Sequence, residues 1–189
     1  MNEQLAFRFD CGATWLNLLA TRGRSFSAHP VERLTTPARL GEWLERGELS
    51  PAHPPTQDDL DQARHLREVL RPLALAAVSG HAPPADAVTA VTAFLAGTAQ
   101  DDPVRLRVVD GRLVREPPAT TTAALARIAR QAVDQLTGPE RHHLKACPEH
   151  DCRGVFADPA DRRRWCPSPA CASRGRVRAL RARRRAEEA

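Results

Sequence analysis

Four cysteines near the carboxyl end are the residues of this chain best suited to carry chemistry. The chain has 189 residues and five cysteines, and four of these lie within 25 residues with the spacing C-x4-C-x13-C-x4-C: Cys147, Cys152, Cys166 and Cys171. Zinc takes four thiolates at tetrahedral corners, and a short paired spacing lets one turn supply two of them. The pattern therefore predicts one structural zinc ion, because four thiolates leave no open position for catalysis.

The sequence leaves other interpretations of these cysteines open. The thiols could form two disulfides or lie together by chance, and His150 could replace one cysteine as a ligand. Stable disulfides are uncommon in the cytosol. The N-terminus lacks the basic start and apolar stretch of a secretory signal, and no apolar run approaches the roughly 20 residues that span a bilayer. We therefore expect a cytoplasmic protein without membrane contact, and zinc in preference to disulfides.

Positive charge is concentrated in the same part of the chain. Residues 1–140 carry 15 basic and 17 acidic side chains, whereas residues 141–189 carry 13 basic and 6 acidic side chains. A cationic stripe suits a phosphate backbone, and the planar guanidinium group also allows bidentate contact with guanine. The arginines predicted to bind double-stranded DNA are Arg162, Arg163, Arg164, Arg174, Arg176, Arg178, Arg181 and Arg185.

A helix that begins near Ser168 or Ala172 would organise most of these arginines. Residues spaced by three, four and seven positions share a helix face. One face would then carry Arg174, Arg178, Arg181 and Arg185. We expect Val177 and Leu180 to pack this helix onto the zinc module. The alternative is a solvated basic tail, which runs of charge usually form.

The residues before this module predict a mainly helical domain. Threonine caps, a proline at a first turn and the spacing of apolar residues give the helices. They are a short segment around Trp15 and Leu18, a helix from Thr36 to Gly47, a long helix from Thr56 to about Val78, a short helix closed by Gly97 and a helix from about Thr121 to Leu136. Pro72 lies inside the long helix and is expected to kink it.

One alternating segment predicts β structure. "VRLRVVDGRLVRE" surrounds Asp110-Gly111, a strong hairpin signal, and a two-residue turn there places Val108 opposite Leu113. We therefore predict a mainly α fold with a small β element (α+β). A helical domain is expected at residues 1–138, and a small zinc-binding module that ends in a basic helix at residues 139–189.

The C-terminal module resembles the CGNR zinc fingers. The resemblance covers "HLKACPEHDCRGVFADPADRRRWCPSPACASRGRVRALRARRR", including Phe156 followed by Asp158 and the "RRWC" box at residues 163–166. The eponymous motif reads "CASR" at residues 171–174, so only its first and last members are kept. This departure spares the metal ligand but puts the contacts of the missing Gly and Asn in doubt.

The N-terminal part resembles the ABATE domain of stress-induced transcription regulators. "FDCGATWLNLLATRG" and "ERLTTPARLGEWL" carry this resemblance, although Asn17 stands where the family commonly has Asp. Together the two resemblances cover nearly the whole chain. They imply a DNA-binding transcription regulator whose N-terminal domain is a candidate sensor.

We accordingly predict a zinc-containing regulator that binds double-stranded DNA and is not an enzyme. There is no phosphate-binding glycine loop, H-E-x-x-H pair or G-x-S-x-G elbow, and Cys11 is expected to be a buried thiol. The alternatives are an RNA-binding module, or a protein-interaction or dimerisation module with a metabolite-sensing N-terminal domain. A homodimer and a small-molecule effector at the N-terminal domain are further partner hypotheses. Phe156 and Trp165 are expected in the core, which argues against single-stranded recognition.

Overall fold

The computed structural model of the protein describes residues 5–187, so the outer ends of the two predicted domains, residues 1–4 and 188–189, lie outside the described residues. The described helices are α1 (Thr14–Ala20), α2 (Pro37–Arg46), α3 (Gln57–Ser79), α4 (Ala85–Gly97), α5 (Thr121–Thr137) and α6 (Pro169–Glu187), with a 3-10 helix at Pro139–His143. The described strands are β1 (Arg22–Gly23), β2 (Val31–Glu32), β3 (Leu106–Val109), β4 (Arg112–Arg115), β5 (Leu144–Ala146) and β6 (Val155–Ala157). They pair in chain order as three two-stranded antiparallel sheets. The mainly α fold with a small β element is thereby confirmed.

Local capping explains where the predicted helices begin and end. The Thr36 hydroxyl accepts a hydrogen bond from the Arg39 amide at the start of α2. Thr56 and Asp59 form a reciprocal capping box at the start of α3, which satisfies two amides that a helix leaves without partners. Helix α3 continues through Pro72 and ends at Gly80, which adopts a left-handed conformation.

The predicted hairpin forms, but it lies on the surface. Val108 pairs with Leu113 as expected, and Asp110 and Gly111 both have positive φ, as a tight two-residue turn requires. The side chains of Val108 and Leu113 are exposed. The hairpin therefore follows from its turn chemistry, and it contributes little to the core.

One hydrophobic core joins the helices to the start of the zinc module. Trp15 and Trp43 are fully buried among the helices, and Phe156 of β6 belongs to the same cluster. The Ala157 amide donates to the Cys11 carbonyl at 2.8 Å. Gly12 has a φ of 96°, and a Cβ there would lie 2.8 Å from the Cβ of Ala157. The strand β6 therefore packs directly against the segment that leads into α1.

Candidate metal centre and nucleic-acid interface

The first predicted ligand pair lies on the loop between β5 and β6. The Cys147 amide donates to the Gly154 carbonyl at 2.9 Å. The amides of Cys152 and Arg153 both donate to the Glu149 carbonyl at 2.9 Å, and Arg153 takes a positive φ. This tight turn brings the two thiols to the same side of the loop.

The second ligand pair comes from the start of α6. Cys166 precedes the helix, and Cys171 lies in its first turn. The Cys171 amide donates to the Ser168 carbonyl at 3.0 Å. Pro169 begins the helix, where its missing amide donor costs nothing because no helical acceptor is available. The predicted basic helix therefore starts within the metal centre itself.

The four sulfur atoms are spaced for one tetrahedral ion. All four lie within 4.8 Å of one another, and the Sγ atoms of Cys152 and Cys166 are 3.8 Å apart. Tetrahedral Zn–S bonds of about 2.3 Å place the sulfurs about 3.8 Å apart. All of the chain's cysteines are free, so no disulfide competes, and exposed His150 does not belong to the cluster. The cysteines fit one structural zinc ion, as predicted.

Electrostatics give a second reason for a cation among these thiols. Hydrogen bonds from Cys152 and then Cys166 lower the pKa of Cys147, whereas contact with Cys147 and then Cys152 raises the pKa of Cys166. A thiol that donates a hydrogen bond to a neighbouring thiolate thus gives up its own proton less readily. A bound divalent ion would neutralise the thiolates. It would thereby stabilise the β5–β6 loop and the start of α6 as one closed structural site.

Two acidic residues between the first cysteines hold α6 against the loop. Glu149 is only 1% exposed, and it accepts hydrogen bonds from Arg174 Nε at 3.3 Å and from the guanidinium of Arg178. Arg174 also donates to Asp151 at 3.1 Å, and its Nη2 lies 3.6 Å from the sulfur of Cys171. Two of the arginines predicted to contact DNA therefore form ion pairs inside the zinc module. Sequence analysis missed the two acidic residues, although their position between two ligands was a usable signal.

The loop that carries residues 162–164 is fixed by Asp158. Its carboxylate accepts hydrogen bonds from Lys145 Nζ at 2.8 Å and from the Arg163 amide at 2.7 Å. The hydrogen bond from Lys145 contributes most. Together with the bond from the Arg163 amide, it lowers the pKa of Asp158 to about 2. The Arg163 guanidinium donates to the Asp10 carbonyl at 3.0 Å, so this arginine also ties the loop to the N-terminal domain.

The other arginines predicted to contact DNA are exposed: Arg162, Arg164, Arg176, Arg181 and Arg185. Arg164 lies over the ring of Trp165, with 5.1 Å between its guanidinium carbon and the ring centroid. Among the described residues, no acidic side chain forms an ion pair with Arg162, Arg176 or Arg181. Their charge is therefore available to a partner.

The outer part of α6 does not pack on the zinc module. A Cβ at Gly175 would lie 2.4 Å from Trp165 Nε1, so helix and ring are in close contact at that point. Every residue from 176 to 186 is exposed. The prediction that Val177 and Leu180 pack the helix onto the module is wrong, since they are 44% and 52% exposed. Ion pairs and the Trp165 contact hold the first turns, and the helix extends into solvent beyond them.

The N-terminal helical domain matches a known family. Residues 12–139 match the ABATE family model, described as "Putative stress-induced transcription regulator", and this match covers more than half of the chain. The chain belongs to the ABATE family. Residues 143–184 of this ABATE-family protein match the model described as "CGNR zinc finger". The matched range contains all four clustered cysteines. The recognised architecture is thereby confirmed, and it identifies a zinc-containing regulator.

Two further findings bear on this ABATE-family protein. It matches no curated protein. Within residues 5–187, no helix is both long enough and apolar enough to cross a membrane.

Proposed function

We propose that this ABATE-family protein regulates transcription by binding double-stranded DNA with the arginines of its zinc module. The observation that carries the proposal is the exposure of α6 from residue 176 to residue 186, on a helix whose first turn contains a zinc ligand. The major groove of DNA admits an α-helix, and guanidinium groups bind both phosphates and the guanine edge. A zinc-anchored helix of this kind is pre-organised for such a contact.

The ion pairs of the module suggest how the arginines divide their roles. Arg174 and Arg178 contact Glu149, and their side chains are 36% and 51% exposed. We expect these two to position the helix. Arg176 and Arg181 lie further along the helix, and we expect them to contact phosphates or bases together with the other exposed arginines.

Salt dependence of DNA binding tests the proposal most directly. The zinc-loaded full chain would be titrated onto labelled duplex fragments, with fluorescence anisotropy as the readout, with and without a chelator. About four phosphate contacts would cost about 100-fold in affinity between 50 and 200 mM salt. Arg181→Met should weaken binding and reduce the salt slope by about 1. Arg112→Met, which removes an exposed arginine from the surface hairpin, is the matched control.

Two outcomes would reject DNA binding by this helix. One is an affinity that hardly changes with salt or with removal of zinc. The other is an equal loss in Arg181→Met and Arg112→Met, which would indicate a nonspecific effect of net charge. Competition by structured RNA against duplex DNA separates the RNA-binding alternative, which shares the same charge argument.

A protein contact of the same helix is the second candidate function. Val177 and Leu180 are apolar, three positions apart and exposed, and a paired surface of two copies would bury them. Replacement of both by serine should then abolish self-association in analytical ultracentrifugation and leave phosphate contacts intact. A homodimer, a small-molecule effector of the N-terminal domain, a cytoplasmic location and the lack of catalytic activity all stay predictions.

A further inference from the structure

A cavity of about 320 Å³ lies between the N-terminal domain and the zinc module. Leu19 of α1 and Val31 of β2 line one side, and Cys152 and residues 166–171 line the other. Small-molecule pockets have volumes of about 300 to 1,000 Å³. The cavity is therefore large enough for a small ligand that contacts both parts of the chain.

The lining of this cavity is strongly cationic. It includes no acidic side chain among the described residues, and it contains six arginines: Arg8, Arg22, Arg24, Arg33, Arg71 and Arg174. Four of the six form ion pairs with carboxylates outside the lining, namely Glu68, Glu149 and Asp151. Within residues 5–187, Arg8 and Arg33 have no carboxylate partner. Two positive charges therefore face the cavity without a paired carboxylate, and the negative charge in the described lining comes from the zinc ligands Cys152, Cys166 and Cys171.

Hydrogen bonding shows the same deficit. The Nε atoms of Arg8 and Arg33 are buried and have no hydrogen-bond partner among the described residues. Arg33 donates from Nη1 to the Ala20 carbonyl at 3.0 Å. Burial, and then the charge of Arg8, lower the pKa of Arg33, so the two guanidinium groups repel one another. Both residues are half-buried, but a buried donor atom without a partner loses its hydration without compensation.

The rest of the lining combines apolar side chains with two serines, Cys11 and three of the zinc ligands. The apolar side chains include Leu19, Ala20, Val31, Val155 and Pro167. An inorganic anion would leave these side chains without a contact, whereas an organic anion would bury its carbon atoms against them. The combination favours a ligand with one charged end and one apolar end.

We propose that this cavity binds a small organic anion, with its carboxylate or phosphate group between Arg8 and Arg33 and its apolar part against Leu19, Val31 and Val155. The site is separate from the exposed part of α6. Its test contains no DNA, so the proposal can fail or hold independently of the proposed function.

Calorimetric titration of the zinc-loaded full chain tests the site. The probes are phenylacetate, hexanoate and phenyl phosphate, at low ionic strength. Phenylacetamide and hexanamide are the neutral controls, because they keep the apolar part and lack the charge. We expect at least one anion to bind with a Kd of about 1 mM or tighter, and the amides to bind at least about tenfold more weakly. Carboxylate and phosphate probes distinguish the two anion classes.

Variants locate the binding to the two unpaired arginines. Arg8→Met and Arg33→Met keep most of the side-chain length and remove the charge, and each should weaken anion binding at least about tenfold. Arg33→Lys should retain part of the affinity. Arg112→Met on the surface hairpin should bind the anion as the unsubstituted chain does. Since Arg8 makes no described hydrogen bond, Arg8→Met preserves the test if Arg33→Met fails to fold.

Several results would overturn the proposal. Amides that bind as well as the anions would show that the guanidinium groups take no part. An equal loss in Arg112→Met would place the anion elsewhere. No binding of any probe would reject the site. If no probe binds and metal analysis shows that Arg8→Met has lost zinc, the arginines instead offset the negative charge of the zinc–thiolate cluster.

Discussion

Glu149 is expected to hold the basic helix on the zinc loop. A hydrogen bond to a charged group contributes about 1.5–3 kcal/mol, and Glu149 receives one each from Arg174 and Arg178. Solvent screens both contacts, because the two arginine side chains are 36% and 51% exposed. The amide oxygen of a glutamine would also keep part of the bonding. We therefore expect Glu149→Gln to lower the stability of the helix anchor by about 2 kcal/mol, below the 3–5 kcal/mol lost with a fully buried pair.

Hydrogen exchange of the zinc-loaded protein measures this loss locally. A change of about 2 kcal/mol corresponds to roughly 30-fold faster exchange of the amides at residues 172–180. Zinc content should not change in Glu149→Gln, because all four sulfur ligands are retained. The matched control is Glu140→Gln, since Glu140 is exposed and has no ion pair among the described residues.

A double-mutant cycle isolates the ion pair from other effects of the substitution. Glu149→Gln and Arg178→Met should be non-additive by about 1 kcal/mol, because each removes the same contact. Unchanged exchange of α6 in Glu149→Gln, with zinc still bound, would refute the reasoning. Additive effects in the cycle would refute the direct contact between the two side chains.

Three further tests concern the thiols, one glycine and a buried ion pair. Chelation should expose four thiols to a thiol reagent, whereas Cys11 should react only after unfolding, since burial raises its pKa to about 12; five fast thiols would contradict this. Gly175→Ala gains about 1 kcal/mol of helix propensity, but its Cβ would lie 2.4 Å from Trp165 Nε1. We expect a net loss of about 1–3 kcal/mol in urea unfolding followed by tryptophan fluorescence. Burial by itself would raise the pKa of Glu32, yet its hydrogen bonds with Arg67 lower it. Stability from this pair should be present above pH 4.5 and fall below it, and Glu32→Gln should flatten that part of the pH profile relative to the unsubstituted chain.

Helix boundaries were predictable because they depend on neighbouring residues. The cap at Thr36 and the box formed by Thr56 and Asp59 satisfy amides within three positions, so the sequence contains both partners. The Asp110-Gly111 turn is local for the same reason. The strands β1, β2, β5 and β6 were not predicted, because two or three residues are too few to show an alternating pattern.

The direction of α6 was not predictable from periodicity. Val177 and Leu180 have the spacing of a packed helix face, yet they are exposed. The helix is held by Arg174 on Glu149, a pair separated by 25 residues, and by the contact of Gly175 with Trp165. A pattern of apolar residues gives a face, and it does not say whether anything lies opposite that face.

The order of amino acids alone predicted the zinc ligands, because paired cysteine spacing lets each short segment supply two of the four thiolates. It also established most helices and the concentration of arginine after residue 140. Tertiary structure decided which arginines are paired within the chain, and it created the cavity beside Arg8 and Arg33. Both outcomes depend on contacts between distant segments, such as the Ala157 amide on the Cys11 carbonyl, and only the folded chain brings those segments together.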